Sequence, residues 1–177
     1  MQEYLTDAIV LRTESRREFD EQVELYTKEL GRVSARVIGG RRNLSKLAGH
    51  LDPLNLVTIR LVKKGGFTVT DVLTVSRFPR LRENVGVLGY ALELSFLIRS
   101  TMPKLAPDFH VWYEFLRALK SRWINIKLFL KLLGYDPMHA SCESCGKREI
   151  VYFTTSDHSF LCNGCRAQFP ERGVVYI

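Results

Sequence analysis

The chain has no apolar run near the roughly 20 residues that a bilayer-spanning helix needs, so no helical anchor is expected in it. Its opening, Met1-Gln2-Glu3-Tyr4, lacks the basic start and apolar stretch of a signal peptide, which predicts a cytoplasmic protein with no membrane role. No Walker loop, G-x-S-x-G, HExxH or partnered carboxylate cluster occurs, so nothing in the sequence asks for an enzyme. Cysteine is absent until position 142. Acids are scarce in one long stretch: from Leu30 to Arg82 there are only Asp52 and Asp71. What remains is the composition of a globular protein, with 177 residues that are 46% hydrophobic and 25% charged, enough for one ordinary domain or two small ones.

The acid-poor stretch holds eleven Lys/Arg, a net +9 in a chain whose total is +7. Its centre is Gly39-Gly40-Arg41-Arg42-Asn43-Leu44-Ser45-Lys46-Leu47-Ala48-Gly49, a cationic connection with glycines at both ends. Such concentration of charge on a small β-rich region points to phosphates, and hence to nucleic acid. The competing reading is a solvated surface with a chance run of charge. Arg32, Arg36, Arg41, Arg42 and Lys46 are the first candidates for phosphate contact, followed by Arg60, Lys63 and Lys64. The last two serve equally well as hairpin solubilisers.

Tyr4–Thr13 reads as a strand, Glu14–Glu21 as a polar loop, and Val23, Leu25 and Thr27 alternate with Gln22, Glu24 and Tyr26 in a second strand. Val33, Ala35 and Val37 alternate with Arg32, Ser34 and Arg36, so the polar face of the third strand is also its basic face. Leu54–Val62 and Phe67–Val75 form a hairpin about Gly65-Gly66. Five strands in so short a span, with no helix of ordinary length between them, predict a small barrel. The OB-fold is the first choice, with an SH3-like barrel as the alternative. Tyr26, Phe67 and Phe78 are available for base stacking, although core placement is the commoner fate of such rings. No base-reading motif occurs, so backbone binding without sequence preference is expected.

Beyond Pro79 the composition turns helical. Val85, Leu88, Leu92 and Phe96 suggest one apolar stripe, and Val111, Trp112, Phe115, Leu116 and Leu119 a second one behind an Asp108 N-cap. Ile124, Leu128, Leu132 and Leu133 suggest a third, ending at Gly134. Trp112 and Trp123 are read as core or interface residues, and Arg117, Lys120, Arg122, Lys127 and Lys131 serve equally well as an extension of the nucleic-acid track or as the solvated faces of these helices.

Cys142-x2-Cys145 and Cys162-x2-Cys165 then form the spacing of a four-thiolate zinc site, closed and structural, holding one Zn2+. Disulfides, free thiols or an iron site are the alternatives, and His139 and His158 are not needed as ligands. The fold class expected is therefore α+β: an OB-fold-like five-stranded barrel over residues 1–78, a short helical domain over 79–138 and a four-cysteine zinc module over 139–177.

Laid out this way, the chain resembles the bacterial recombination-repair family RecO. The resemblance rests on Ala8-Ile9-Val10-Leu11-Arg12-Thr13, Tyr26-Thr27-Lys28-Glu29-Leu30-Gly31-Arg32-Val33, the Gly39–Gly49 stretch, Leu51-Asp52-Pro53, Leu132-Leu133-Gly134-Tyr135-Asp136-Pro137 and the two cysteine pairs. It implies a non-enzymatic protein of the RecF pathway that binds single- and double-stranded DNA, anneals complementary strands, and helps load RecA onto strands coated by single-strand-binding protein (SSB). It also implies RecR and the C-terminal tail of SSB as partners, a nucleoid-associated cytoplasmic location, the basic loop at Arg41, Arg42 and Lys46, and zinc on the four cysteines. Members of that family usually continue with more helix after the cysteines, and the helical part here is shorter. Two readings compete: an RNA-binding OB-fold/zinc protein of translation or ribosome assembly, and a zinc-stabilised module that meets an acidic protein tail.

Overall fold

The computed structural model describes residues 1–16, 19–40, 47–170 and 173–177. Five strands come first: β1 (Gln2–Ser15), β2 (Glu21–Thr27), β3 (Gly31–Val37), β4 (Leu56–Lys64) and β5 (Gly66–Ser76). They close a barrel in the order β1-β2-β3-β5-β4, antiparallel except for the β3–β5 seam. This is an OB-fold-like barrel. One face of each strand fills its interior, with Ala8, Val10, Val23, Leu25, Val33, Ala35, Val37, Val57, Ile59, Leu61, Val69 and Val72 buried together. Leu51, behind a single 3-10 turn (Ala48–His50), joins that core.

β1 carries four consecutive buried residues, Ala8 to Leu11, because both of its faces are covered there. Ala8 and Val10 face the barrel, while Ile9 and Leu11 join a second core under the helices. The register slips between Val10 and Arg12, a bulge at Leu11. The Ser95 hydroxyl donates to the Leu11 carbonyl at 3.1 Å, so this buried acceptor keeps a partner.

The helices are α1 (Pro79–Arg82), α2 (Val85–Thr101), α3 (Phe109–Ser121) and α4 (Ile126–Leu132). Asp108 caps α3 as expected, its carboxylate accepting from His110 N and Val111 N, and Asn84 and Asn125 cap α2 and α4. Two of the expected stripes are out of phase. α2 buries Ala91, Leu94, Ser95, Leu97 and Ile98 and leaves Val85 and Leu92 exposed, since this helix is apolar nearly all round and its periodicity does not select a face. α4 buries Ile126, Phe129 and Leu130, with Ile124 lying before its start. Trp112 is buried as read, whereas Trp123 is largely exposed. The polar connection after β1 is also shorter than expected, because Glu14, Ser15 and Glu21 are paired in the ladder. Among the described residues no helix is long and apolar enough to cross a membrane.

The remaining strands, β6 (Ile150–Thr154), β7 (Ser159–Cys162) and β8 (Val174–Tyr176), form a sheet in the order β7-β6-β8. Its Phe153, Phe160 and Val175 pack into the helical core, with Tyr135 5.1 Å from Phe153.

Barrel and helices meet most closely at Gly31. Its φ is +68°, and a Cβ there would lie 2.4 Å from the Ala106 carbonyl oxygen. Next to it, Leu105 N–H donates to Arg32 O at 3.0 Å, and the Tyr26 hydroxyl donates to Asp108 O at 3.0 Å. Tyr26, read from the alternation as part of a polar face, is fully buried with its ring 6.0 Å from Trp112, because helices cover that side of β2. Burial also raises its hydroxyl pKa. Phe78 is nearly buried as well, so both rings are core.

Gly31→Ala is expected to cost about 3 kcal/mol, from the left-handed backbone together with displacement of the Ala106 segment. Gly65→Ala, at φ +75° but with open space around it, should cost only about 1 kcal/mol. Thermal unfolding of the two variants checks this: Gly31→Ala should melt several degrees below Gly65→Ala.

Candidate nucleic-acid interface and metal centre

The seam between β3 and β5 is short, with only Ala35↔Phe67 and Arg36↔Thr68 in register. Beyond it the strands part. The edge of β3 that β5 leaves at Arg32 is paired instead by Lys104, from the connection between α2 and α3. Over this region, on the outer face of β2, β3 and β5, lies a groove of about 630 Å³. Arg16, Arg36, Lys64 and Lys104 supply cations, and Glu14 and Glu24 supply carboxylates. Gln22, Ser34 and Thr68 make its surface polar, and Phe67 contributes a ring.

The structure treats the expected phosphate contacts differently from one another. Arg36 is exposed at the end of β3, with Nε 3.1 Å from an Asp20 carboxylate oxygen. The other Asp20 oxygen accepts from Gly39 N at 3.0 Å, so one acid steadies both the arginine and the entrance to the basic stretch. Arg32 is only 17% exposed, and its guanidinium sits 3.6 Å from Glu24. Lys64 lines the groove, and Lys63 Nζ lies 5.5 Å from the centre of the Phe67 ring. Arg60 does not line the groove: it is on the outer face of β4, 3.4 Å from Glu3 and cross-strand from Asp71. Arg41, Arg42 and Lys46 lie outside the described residues. Arg16 and Lys104 in the groove, and Asp20 bracing Arg36 beside it, are residues that the sequence reading does not single out. Arg16 lies before the acid-poor stretch, and Lys104 is brought in only by the tertiary fold.

The cysteines converge. Cys142 and Cys145 flank a tight turn in which Gly146 N donates to Cys142 O at 2.8 Å, with Gly146 at φ +72°. Cys162 ends β7, and Cys165 sits in the 3-10 turn after it (Asn163–Gln168). All four sulfurs lie within 4.8 Å of one another, and Cys145 Sγ is 3.6 Å from Cys162 Sγ. A tetrahedral ion with bonds of about 2.3 Å needs sulfurs roughly 3.8 Å apart, so the cluster can hold one metal ion. Its electrostatics suit thiolates: N–H groups of Cys162, then Cys145 and Ser144, draw the Cys142 pKa down to about 6. Cys165 is pushed up to about 12, chiefly by the Cys145 and Cys162 thiols beside it, so four sulfurs without a cation do not ionise together. His158 is not part of the cluster; it stacks near Tyr135 and Phe153.

Residues 1–77 match the family model described as Recombination protein O N terminal. Over most of its length the chain is similar to several proteins named DNA repair protein RecO. That of Pelotomaculum thermopropionicum is 29% identical across 94% of this chain and 70% of its own length. That of Exiguobacterium sp. is 27% identical across 96% and 71%, and that of Symbiobacterium thermophilum 29% across 92% and 71%. The chain is therefore similar to proteins named DNA repair protein RecO along nearly its whole length, and its first 77 residues match the recombination protein O N-terminal model.

Proposed function

We propose that this protein is a non-enzymatic DNA-binding protein of recombinational repair. In this reading it binds single- and double-stranded DNA through the barrel, anneals complementary strands, and with RecR helps load RecA onto strands covered by SSB. The observation that supports this most is the polar groove on the barrel face with four cations along it, in a relative of proteins named for DNA repair. Two strands repel each other through their phosphates. A protein that holds both against lysine and arginine side chains lowers that barrier and releases counterions on binding, so affinity falls steeply with salt. Arg32, Arg36, Arg41, Arg42, Lys46, Arg60, Lys63 and Lys64 are assigned to this contact, the three in the Gly39–Gly49 stretch as its basic loop.

The four cysteines hold one Zn2+ in this proposal, in a closed site without an open position for water, so the metal's part is structural. Zinc completes what four crowded thiols cannot do alone, offsetting the mutual repulsion of their ionised forms. The proposed division is a DNA-binding domain over 1–78, a helical domain over 79–138 and a zinc module over 139–177.

Annealing of two complementary labelled strands, naked and SSB-coated, tests the main reading. The wild type should accelerate both, and Arg41→Ala/Arg42→Ala/Lys46→Ala should lose about tenfold or more of that rate at low salt, with the loss narrowing as salt rises. A folded protein that leaves annealing unchanged and prefers RNA would move the assignment to an RNA-binding role. For the metal, thiol modification of the purified protein should release about one equivalent of zinc, and Cys145→Ser should release far less. Zinc affinity should rise with pH, because thiols such as Cys165 must lose protons to bind.

A further inference from the structure

The groove's cations fall into two kinds. Three arginines at or beside it already have carboxylate partners: Arg12 with Glu14 at 2.5 Å, Arg32 with Glu24, and Arg36 with Asp20. Three other lining residues, Arg16, Lys64 and Lys104, form no ion pair with a carboxylate among the described residues, and all three are exposed. Arg16 is held instead by the neutral Gln22, whose amide in turn donates to Ser34. These cations are the ones a phosphate meets without first displacing an acid.

Lys104 is the least expected of them, because it comes from the helical part of the chain. It is fixed in place nonetheless. The 104–105 segment pairs with Arg32 of β3, and the next residue, Ala106, is pressed against Gly31. The cationic surface continues inward from there. Arg99 of α2 feels Arg12 and Arg32 as neighbours, along with Glu14 and Glu24, and burial with those two arginines lowers its pKa. The pairing below is also incomplete: Arg32 Nε and Glu24 Oε2 are buried without hydrogen-bond partners among the described residues. A partly buried set of this kind, with more guanidinium than carboxylate, is suited to an anion at its mouth.

Along β3, Arg32 and Arg36 are four residues apart on one face, roughly 13 Å at about 3.3 Å per residue. The groove therefore runs from Lys104 at the Arg32 end to Arg16 at the Arg36 end, with Lys64 and Phe67 in its lining. Phe67 is half-buried, packed against the barrel core and 5.8 Å from Tyr4, and the part of its ring that faces the groove can stack only on bases whose faces are free, which a duplex does not offer.

We propose that Lys104, from the α2–α3 connection, and Arg16, from the β1–β2 connection, are phosphate-binding residues of a groove that holds one unpaired nucleic-acid strand, its bases towards Phe67. This rests on the nucleic-acid reading of the barrel face and extends it onto the helical part. The helices thereby belong to the binding surface, and the strand crosses the joint between barrel and helices rather than staying on the barrel.

Fluorescence anisotropy of the full chain with labelled oligothymidylate and with a hairpin duplex tests this. Lys104→Ala and Arg16→Ala should each weaken oligothymidylate binding several-fold and lower its log K against log salt slope by about 0.7, as one lost phosphate contact on a single strand requires. Phe67→Leu should weaken it about fivefold or more with the slope unchanged, since stacking releases no counterions. Lys127→Ala, on α4 and outside this groove, should behave as wild type. Lys104→Ala with wild-type affinity and slope would overturn the proposal while leaving DNA binding intact. Equal losses on oligothymidylate and duplex would overturn the single-strand assignment. A wild type that binds neither probe would bring down the underlying function as well.

Discussion

The close approach of two backbones at Gly31 is the constraint on which the rest of this structure depends. Only a residue without a Cβ lets the 104–107 segment lie against β3. From that contact follow the Leu105 hydrogen bond to Arg32, the Tyr26 hydroxyl on the Asp108 carbonyl, and the position of Asp108 as the cap of α3. A barrel and a helical bundle joined by a flexible linker would share no surface. Here the joint is a backbone ladder backed by Tyr26 and Trp112, so a groove can span both parts and keep its shape.

The charges on that groove are arranged as much as they are numerous. Formal charge counts the Leu30–Arg82 stretch as strongly positive, but acids from outside it reach back: Asp20 to Arg36, Glu24 to Arg32 and Glu3 to Arg60. The exposed Arg60–Glu3 pair is worth at most about 1 kcal/mol in stability, whereas Arg32 with Glu24 is largely buried. Their effect is on the resting state of the arginines, which are held extended and aimed rather than left to wander. A backbone phosphodiester offers a guanidinium what a carboxylate does, oxygen acceptors and one negative charge, so exchange of partner costs little.

Sequence patterning made the barrel readable because its strands are covered on one face, and period-two alternation survives where only one face is buried. It failed where both faces are covered. Tyr26 sits among polar neighbours yet is fully buried beneath the helices, and Ile9 and Leu11 are buried on the side of β1 opposite Ala8 and Val10. For the same reason α2 hides its face: a helix apolar all round has no stripe to read. The cysteine cluster was legible because its spacing is local. The groove was legible only in part. Arg36 and Lys64 lie on strands whose outward faces the alternation predicts, and Arg16 sits in the β1–β2 connection, ahead of the acid-poor stretch, but Lys104 reaches the groove through its pairing with the distant Arg32, which no window of sequence contains.

The metal centre lies away from the groove in sequence, yet its sheet is not an isolated appendage. β6 carries Phe153 into the helical core between Tyr135 and Phe160, and β7 leads directly into Cys162. Tyr176 N–H, in β8, donates to Glu93 of α2, whose carboxyl pKa is raised by burial. Metal binding to four thiolates is folding free energy for whatever those thiolates anchor. What they anchor here is a sheet that covers the helical core, and the same helical part also reaches Leu11 through Ser95 and Tyr26 through Trp112 and Asp108. Order imposed at the cysteines is thus carried by packed side chains to the Gly31 joint. The two ends of the chain are joined by packing through the helices between them, which would give a metal ion held by the four cysteines a structural use.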